Sequence, residues 1–188
     1  MTLTVADLAG YIERDLDADL ARWFAGSDPI VLEEEVRPVE PFLARLAPAD
    51  AAALAAFDRR VRSGAMPQFM DVYDWVYGFD FAGNDCGILD SDYETELTDD
   101  DLYAVAADGG GNYFAVLTNG QVATWFHEEE VIEANTRFDN PDVFVWTMVR
   151  YQAVREGKLN RADVEADFVA LAQDGMLNEG TGLLHTLK

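Results

Sequence analysis

Apolar residues recur every three or four positions through the first two dozen residues. Leu8, Ile12, Leu16, Leu20 and Trp23 fall on one side of a helical wheel, and Gly26 follows as a stop. That spacing predicts an amphipathic helix over residues 4–24, because 3.6 residues per turn stacks positions three and four apart on one face. Residues 48–61 repeat the plan, with Pro48 in the first turn, Leu54, Phe57 and Val61 inward, and Gly64 past the end. Proline suits a first turn, where its missing N–H costs no hydrogen bond. Pro67 to Tyr77 reads as a further helix, with Phe69, Val72, Tyr73 and Val76 inward and Gly78 after it. Ile30 to Val36 is a candidate strand.

The period then changes. Leu102 to Ala107 is a short apolar run, Asp108-Gly109-Gly110-Gly111-Asn112 is a turn cluster, and Tyr113 to Leu117 is a second short run. Asn119-Gly120 follows, the dipeptide favoured in two-residue type I′ hairpins, where both central residues need positive φ. Gln121 to Phe126 completes three strands, 102–107, 112–118 and 121–127 at their widest, in an antiparallel meander. Beyond it, Asn140-Pro141 can cap a helix to about Arg155 containing Val145, Met148, Val149 and Gln152, although the β-branched and aromatic content also suits a strand. Asn160 and Asp163 look like a capping pair for a helix bearing Val164, Phe168 and Leu171, ended by Gly175. Helices before and after a meander predict an α+β fold: a mainly antiparallel sheet packed by N- and C-terminal helices.

Length and composition narrow this picture. A chain of 188 residues that is 49% hydrophobic fits one domain, 1–188, with a real core. The lone Cys86 excludes an internal disulfide framework and a cysteine-based zinc site. The opening residues lack the basic and apolar regions of a signal peptide. No apolar run approaches the ~18–20 residues of a membrane helix. The expectation is a cytoplasmic protein without a membrane partner.

Charge changes the picture most. Thirty-six acids against 13 bases give a net charge of −23. Residues 1–62 carry seven bases and twelve acids, and residues 137–188 carry six and eight; between Arg62 and Arg137 lie sixteen acids and no Lys or Arg. Such a field repels nucleic acid, whose recognition needs cations against phosphate, and attracts basic proteins. Solubility alone accounts for an acidic surface, but not for so long a stretch without a balancing base.

Candidate chemistry adds little. His127 and His185 are the only histidines, and neither lies in a nucleophile motif; Cys86 has no basic neighbour in sequence to lower its pKa. Gly109-Gly110-Gly111 leads into a strand rather than a helix N-terminus, and Asp108 beside it repels phosphate, so it reads as a tight turn. Asp90-Ser91-Asp92-Tyr93-Glu94-Thr95-Glu96 starts like a calcium loop, but Thr95 occupies the position that needs Gly, and Asp101 stands where a bidentate Glu belongs. If extended, Asp90, Asp92, Glu94 and Glu96 share one face of a strand. Paired carboxylates of a glycosidase can be found in any chain this acidic, so their presence alone selects nothing. No catalytic residue, metal site or cofactor is expected.

Tyr103-Ala104-Val105-Ala106-Ala107-Asp108-Gly109-Gly110-Gly111-Asn112-Tyr113-Phe114 resembles the central signature of the SUKH superfamily: an apolar strand, an Asp-Gly-Gly-rich turn and a second apolar strand. Asn119-Gly120-Gln121-Val122 with Trp125-Phe126-His127-Glu128 is similar to the strand that follows there. Met66 to Tyr73 is similar, more loosely, to the Pro-led helix before the sheet, and Ile132 to Trp146 to the lead into the C-terminal helix. The resemblance spans about residues 65–155, with residues 1–62 as an N-terminal helical extension. Ala106-Ala107 departs from the Ile-Gly type pair common in that family. What it implies is a protein-binding module: an immunity protein that neutralises a basic bacterial toxin, a nuclease for example, or a housekeeping regulatory module of the same fold. The partner-binding residues expected on this basis are Asp90, Asp92, Glu94, Glu96, Asp99, Asp100, Asp101, Trp125, Glu128, Glu129 and Glu130. A metal-dependent enzyme using the acids of 90–101 is the remaining alternative.

Overall fold

Gly10 and Asp15 decide the shape of the N-terminal segment. In a computed structural model describing residues 2–32, 36–69, 77–84 and 97–187, the expected helix over 4–24 is broken into three pieces. A 3₁₀ turn (Val5–Leu8) is followed by α1 (Tyr11–Arg14) and α2 (Leu16–Trp23). Gly10 takes a left-handed φ of 74°, and Asp15 leaves helical geometry at φ −120°. The apolar stripe still turns inward: Leu8, Ile12, Leu16, Leu20 and Trp23 are all buried. A carboxylate far along the chain stitches the break, since Asp142 accepts hydrogen bonds from Gly10 N–H at 2.8 Å and Ile12 N–H at 2.9 Å.

The described parts of Ile30 to Val36 form no strand; the nearest pairing is an isolated bridge between Pro29 and Pro67. That bridge also places Pro67 in extended backbone, so the described ends of the expected 67–77 helix, residues 67–69 and Tyr77, are not helical, and 70–76 lie outside the described residues. A short α3 (Glu40–Leu43) leads to α4 (Pro48–Arg62), which starts on Pro48 as expected and buries Leu54, Phe57 and Val61.

Among the described residues five strands form one antiparallel sheet in the order β1-β2-β3-β4-β5. They are β1 (Gly78–Phe79), β2 (Leu102–Ala107), β3 (Tyr113–Leu117), β4 (Val122–Phe126) and β5 (Val131–Ile132). The meander of β2, β3 and β4 matches the sequence reading, with Tyr103 opposite Val116 and Phe114 opposite Thr124. The hairpin turn differs. Gly120 has φ 84°, but among the described non-glycine residues only Glu130 and Ala172 have positive φ, so Asn119 does not. Leu117 accepts from Gly120 N–H at 2.9 Å and donates to Gln121 O at 2.8 Å, which makes a three-residue loop closed by a glycine bulge instead of a type I′ turn. Asn119 contributes through its side chain, whose Oδ1 accepts from Gln121 N–H at 3.0 Å.

The sheet's inner face, with Tyr103, Val105, Phe114, Val116 and Val122, joins the main core. Against it lies α5 (Pro141–Arg155), capped by Asn140, whose Oδ1 accepts from Val143 N–H at 3.0 Å. Phe138, Phe144 and Phe114 form a ring cluster between sheet and helix, with centroids 5.1 Å apart for Phe138–Phe144 and 5.3 Å for Phe114–Phe144. The opposite side of α5 meets α1, α2, α4 and α6 (Arg161–Leu171). There Arg150 lies 4.2 Å over the Trp146 ring and pairs with Asp19 at 3.0 Å, which lets a guanidinium sit among aromatic rings. α6 stops at Ala172, at φ 53°, rather than at Gly175, which instead lies in α7 (Asp174–Leu177), against the Phe138 ring; α8 (Leu183–Thr186) closes the chain.

Candidate functional site

Side chains alternate across a strand, so the residues between the inward ones face outward. On this outer face Leu102, Ala104, Ala115 and Trp125 form a second, smaller apolar cluster, with Leu97, Tyr113, Leu117 and Ile132 packed at its margin. Trp125 is only 5% exposed, and its indole N–H is buried without a hydrogen-bond partner. It therefore underlies the expected surface instead of presenting a ring to a partner.

Antiparallel order separates the acids. Asp99–Asp101 form a 3₁₀ turn immediately before β2, at one end of the sheet, whereas Glu128–Glu130 follow β4 at the other. A five-residue strand at ~3.4 Å per residue puts roughly 17 Å between the two ends. Asp90, Asp92, Glu94 and Glu96 lie outside the described residues.

At the first end the half-buried Asp101 is tied to its own turn and to Arg45. Its Oδ2 accepts from Thr98 N–H at 2.8 Å and Thr98 Oγ1 at 2.9 Å, and its Oδ1 pairs with Arg45 at 2.9 Å. The Thr98 backbone donor, then its hydroxyl, hold the carboxyl below its ordinary pKa, with Arg45 adding to the effect. The Asp100 carbonyl accepts from Arg45 Nη1, while its side chain is exposed at a cleft with Arg37, Pro38, Pro41 and Phe42.

At the second end the Asp108–Asn112 turn and the Glu128–Glu130 turn lie side by side. Asp108 Oδ1 accepts from Gly110 N–H at 2.7 Å and Asn112 N–H at 3.1 Å, which closes the glycine cluster as a tight turn. Asn112 Oδ1 accepts from His127 N–H at 3.0 Å and sits 2.9 Å from His127 Nδ1. The ring rests on Gly111, where a Cβ would fall 2.9 Å from it; the glycine is needed both for its φ of 105° and for this approach. Asp108, Asn112, His127, Glu128 and Glu129 line one cleft, and the two glutamates are exposed.

The bases are mostly spent elsewhere. Among the described residues the ion pairs are Arg14–Asp15, Arg45–Asp101, Arg59–Glu13, Arg60–Asp17, Arg62–Asp58, Arg150–Asp19, Lys158–Glu156 and Arg161–Glu165. None includes Asp100, Glu128 or Glu129, so these carboxylates keep their field toward solvent.

A third cleft, of about 450 Å³, joins the two ends across the outer face; Asp101 and Glu130 both line it, with Leu97, Leu117, Val131, Ile132 and Arg137. Sequence reading missed this cleft and β5 beside it, because a two-residue strand carries no periodic signal. It missed Arg37 and Arg45 for another reason: only the fold brings them to Asp100 and Leu102.

Among the described residues no three His, Cys, Asp or Glu side chains are grouped to hold a metal ion, and no helix is long and apolar enough to cross a membrane. No known protein family, curated protein or solved structure matches the chain.

Proposed function

We propose that this chain is an acidic protein-binding module without a catalytic step, and specifically an immunity-type protein that binds and neutralises a basic bacterial toxin. The observation that carries this reading is the run of sixteen acids between Arg62 and Arg137 without one Lys or Arg. Two features support it: Glu128 and Glu129 stand exposed and outside the ion pairs of the described residues, and residues 103–128 resemble the SUKH signature. Complementary potentials raise the rate of encounter and discriminate against like-charged partners. A nuclease fits as the target, since a surface evolved to hold phosphate is also the surface an acidic inhibitor covers most favourably.

The test begins with affinity capture of the native protein from its own cells, with mass spectrometry of what accompanies it. A basic toxin domain is the expected companion. Association with the captured partner should slow as salt rises from 0.01 M to 0.15 M, where the screening length falls from ~30 Å to ~8 Å. Reversing Asp90, Asp92, Glu94 and Glu96 to Lys should slow association on the order of tenfold, with much less effect from reversing the exposed Glu13 and half-buried Asp15 of the first helical segment; Asp19 is kept because it pairs with Arg150 at 3.0 Å. Equal effects from both sets would reduce the site to net charge. Capture of a housekeeping complex without a toxin would replace the immunity reading with a regulatory one.

A further inference from the structure

Among the described residues, the last strand of the sheet is an open edge. β5 pairs with β4, Ile132 opposite Trp125 and Val131 opposite Phe126, and it is terminal in the strand order. In an antiparallel ladder, a residue whose N–H and C=O point at the neighbour alternates with one whose groups point away. One of Val131 and Ile132 therefore turns its backbone groups outward. Glu133 continues the extended backbone at φ −84°, ψ 139°. Val131 is 42% exposed, and Glu133, Ala134 and Asn135 are exposed after it. Beside this edge runs the 450 Å³ cleft, whose Leu97, Leu117 and Ile132 also belong to the Trp125 cluster. Glu128, Glu129 and Glu133 flank the edge, and Asp101 lies across the cleft.

An unpaired strand edge is a template for another chain, and proteins commonly guard such edges with charge. Here the exposed guards beside the edge, Glu128, Glu129 and Glu133, share one sign, while the cation that lines the cleft, Arg137, is turned to Gln121 Oε1 at 2.7 Å. Against a second copy of this chain, itself at −23, the guards repel. Against a cationic strand they attract. We propose that the β5 edge with its adjoining cleft docks an extended basic segment of the protein partner, which adds to the sheet as a further strand. The two-residue period of a strand sends alternate apolar side chains into the cleft and the intervening Lys or Arg side chains to the acidic rim. This inference rests on the partner being basic, as proposed above, and names how it is held.

Three capped decapeptides of identical charge test it: five Val and five Lys in strict alternation, the same residues in two blocks, and the alternating peptide N-methylated at each Val. Affinity is measured at 0.05 M and 0.15 M salt, with amide shifts of the protein recorded by NMR. The alternating peptide should bind at least tenfold tighter than either control at 0.15 M salt, with the largest shifts at residues 130–133. Equal, salt-sensitive binding of all three would leave the acidic surface standing and overturn the strand-docking mode. No binding of any peptide even at 0.05 M would overturn both readings. Largest shifts away from β5, or a protein dimer in sedimentation with protection at 131–133, would also overturn it, the second by giving the edge to another copy of the chain.

Discussion

Gly120 is a residue at which two separate costs can be told apart. Its φ of 84° lies in the left-handed region, where an added Cβ costs roughly 1–2 kcal/mol. A Cβ there would also fall 2.1 Å from Asp50 Oδ2, in the first turn of α4, so the carboxylate would have to move. Gly120→Ala should therefore destabilise by about 2–3 kcal/mol in urea unfolding. In an Asp50→Ala background the same change should cost only about 1 kcal/mol, because the conformational part alone remains. Equal costs in both backgrounds would show that Asp50 swings away freely. The glycine was legible in the sequence and its neighbour was not. Asn119-Gly120 announces a turn, but whether Asn119 also takes positive φ depends on the loop length that the flanking strands impose. Trp125 is a parallel case: an aromatic at the end of a strand reads equally well as a contact or as core, and only the outer-face cluster decides for core.

At the level of elements, the sequence was most informative where chain-local chemistry fixes the ends. α4 begins on Pro48, and α5 runs Pro141–Arg155 from the Asn140 cap, as the capping residues predicted. The ambiguity of α5 between helix and strand has a physical source, since Val143, Phe144, Val145, Trp146, Met148, Val149 and Tyr151 are buried on all sides and leave no polar face to reveal a period. Its length, with the cap, decides for helix. The N-terminal helix failed for the opposite reason. Its apolar stripe is regular, but the break at Gly10 is held by Asp142, 132 residues away, which no local pattern can report. Two substitutions rank these effects. Asn140→Ala removes one cap bond and should cost about 1 kcal/mol. Asp142→Ala leaves two backbone N–H groups without their charged acceptor and should cost about 2–4 kcal/mol. Chemical denaturation of both variants checks the order; a milder Asp142 effect would mean that water replaces the carboxylate.

For the whole molecule, the surplus of carboxylates predicts how stability responds to pH. Burial, the largest cause at each, raises the carboxyl pKa of Asp50, Asp58 and Asp80, and at Asp58 it prevails over the Arg62 pair at 2.9 Å. A carboxyl raised in the folded state takes up its proton at higher pH than in the unfolded chain. It thus contributes stability that is complete below the ordinary value of ~3.9 and lost as pH rises through the folded value. Asp7 and Asp101 are lowered, by their Thr4 and Thr98 hydrogen bonds, so their contribution is lost only as pH falls below the ordinary range. The two windows do not overlap. The urea midpoint should rise as pH falls from neutral toward about 4 and fall again below about pH 3.5. Repulsion among charges summing to −23 gives a rise of the same sign, so the rise alone does not identify its cause. Salt separates the two. At 1 M the screening length is ~3 Å, which suppresses long-range repulsion but leaves a desolvated carboxyl nearly untouched. The rise should therefore persist in part at 1 M salt, and the persisting part should shrink in an Asp50→Asn, Asp58→Asn double variant, where no proton is left to take up. A rise abolished by salt in the parent protein would assign it to net charge and remove the buried carboxyls from the account.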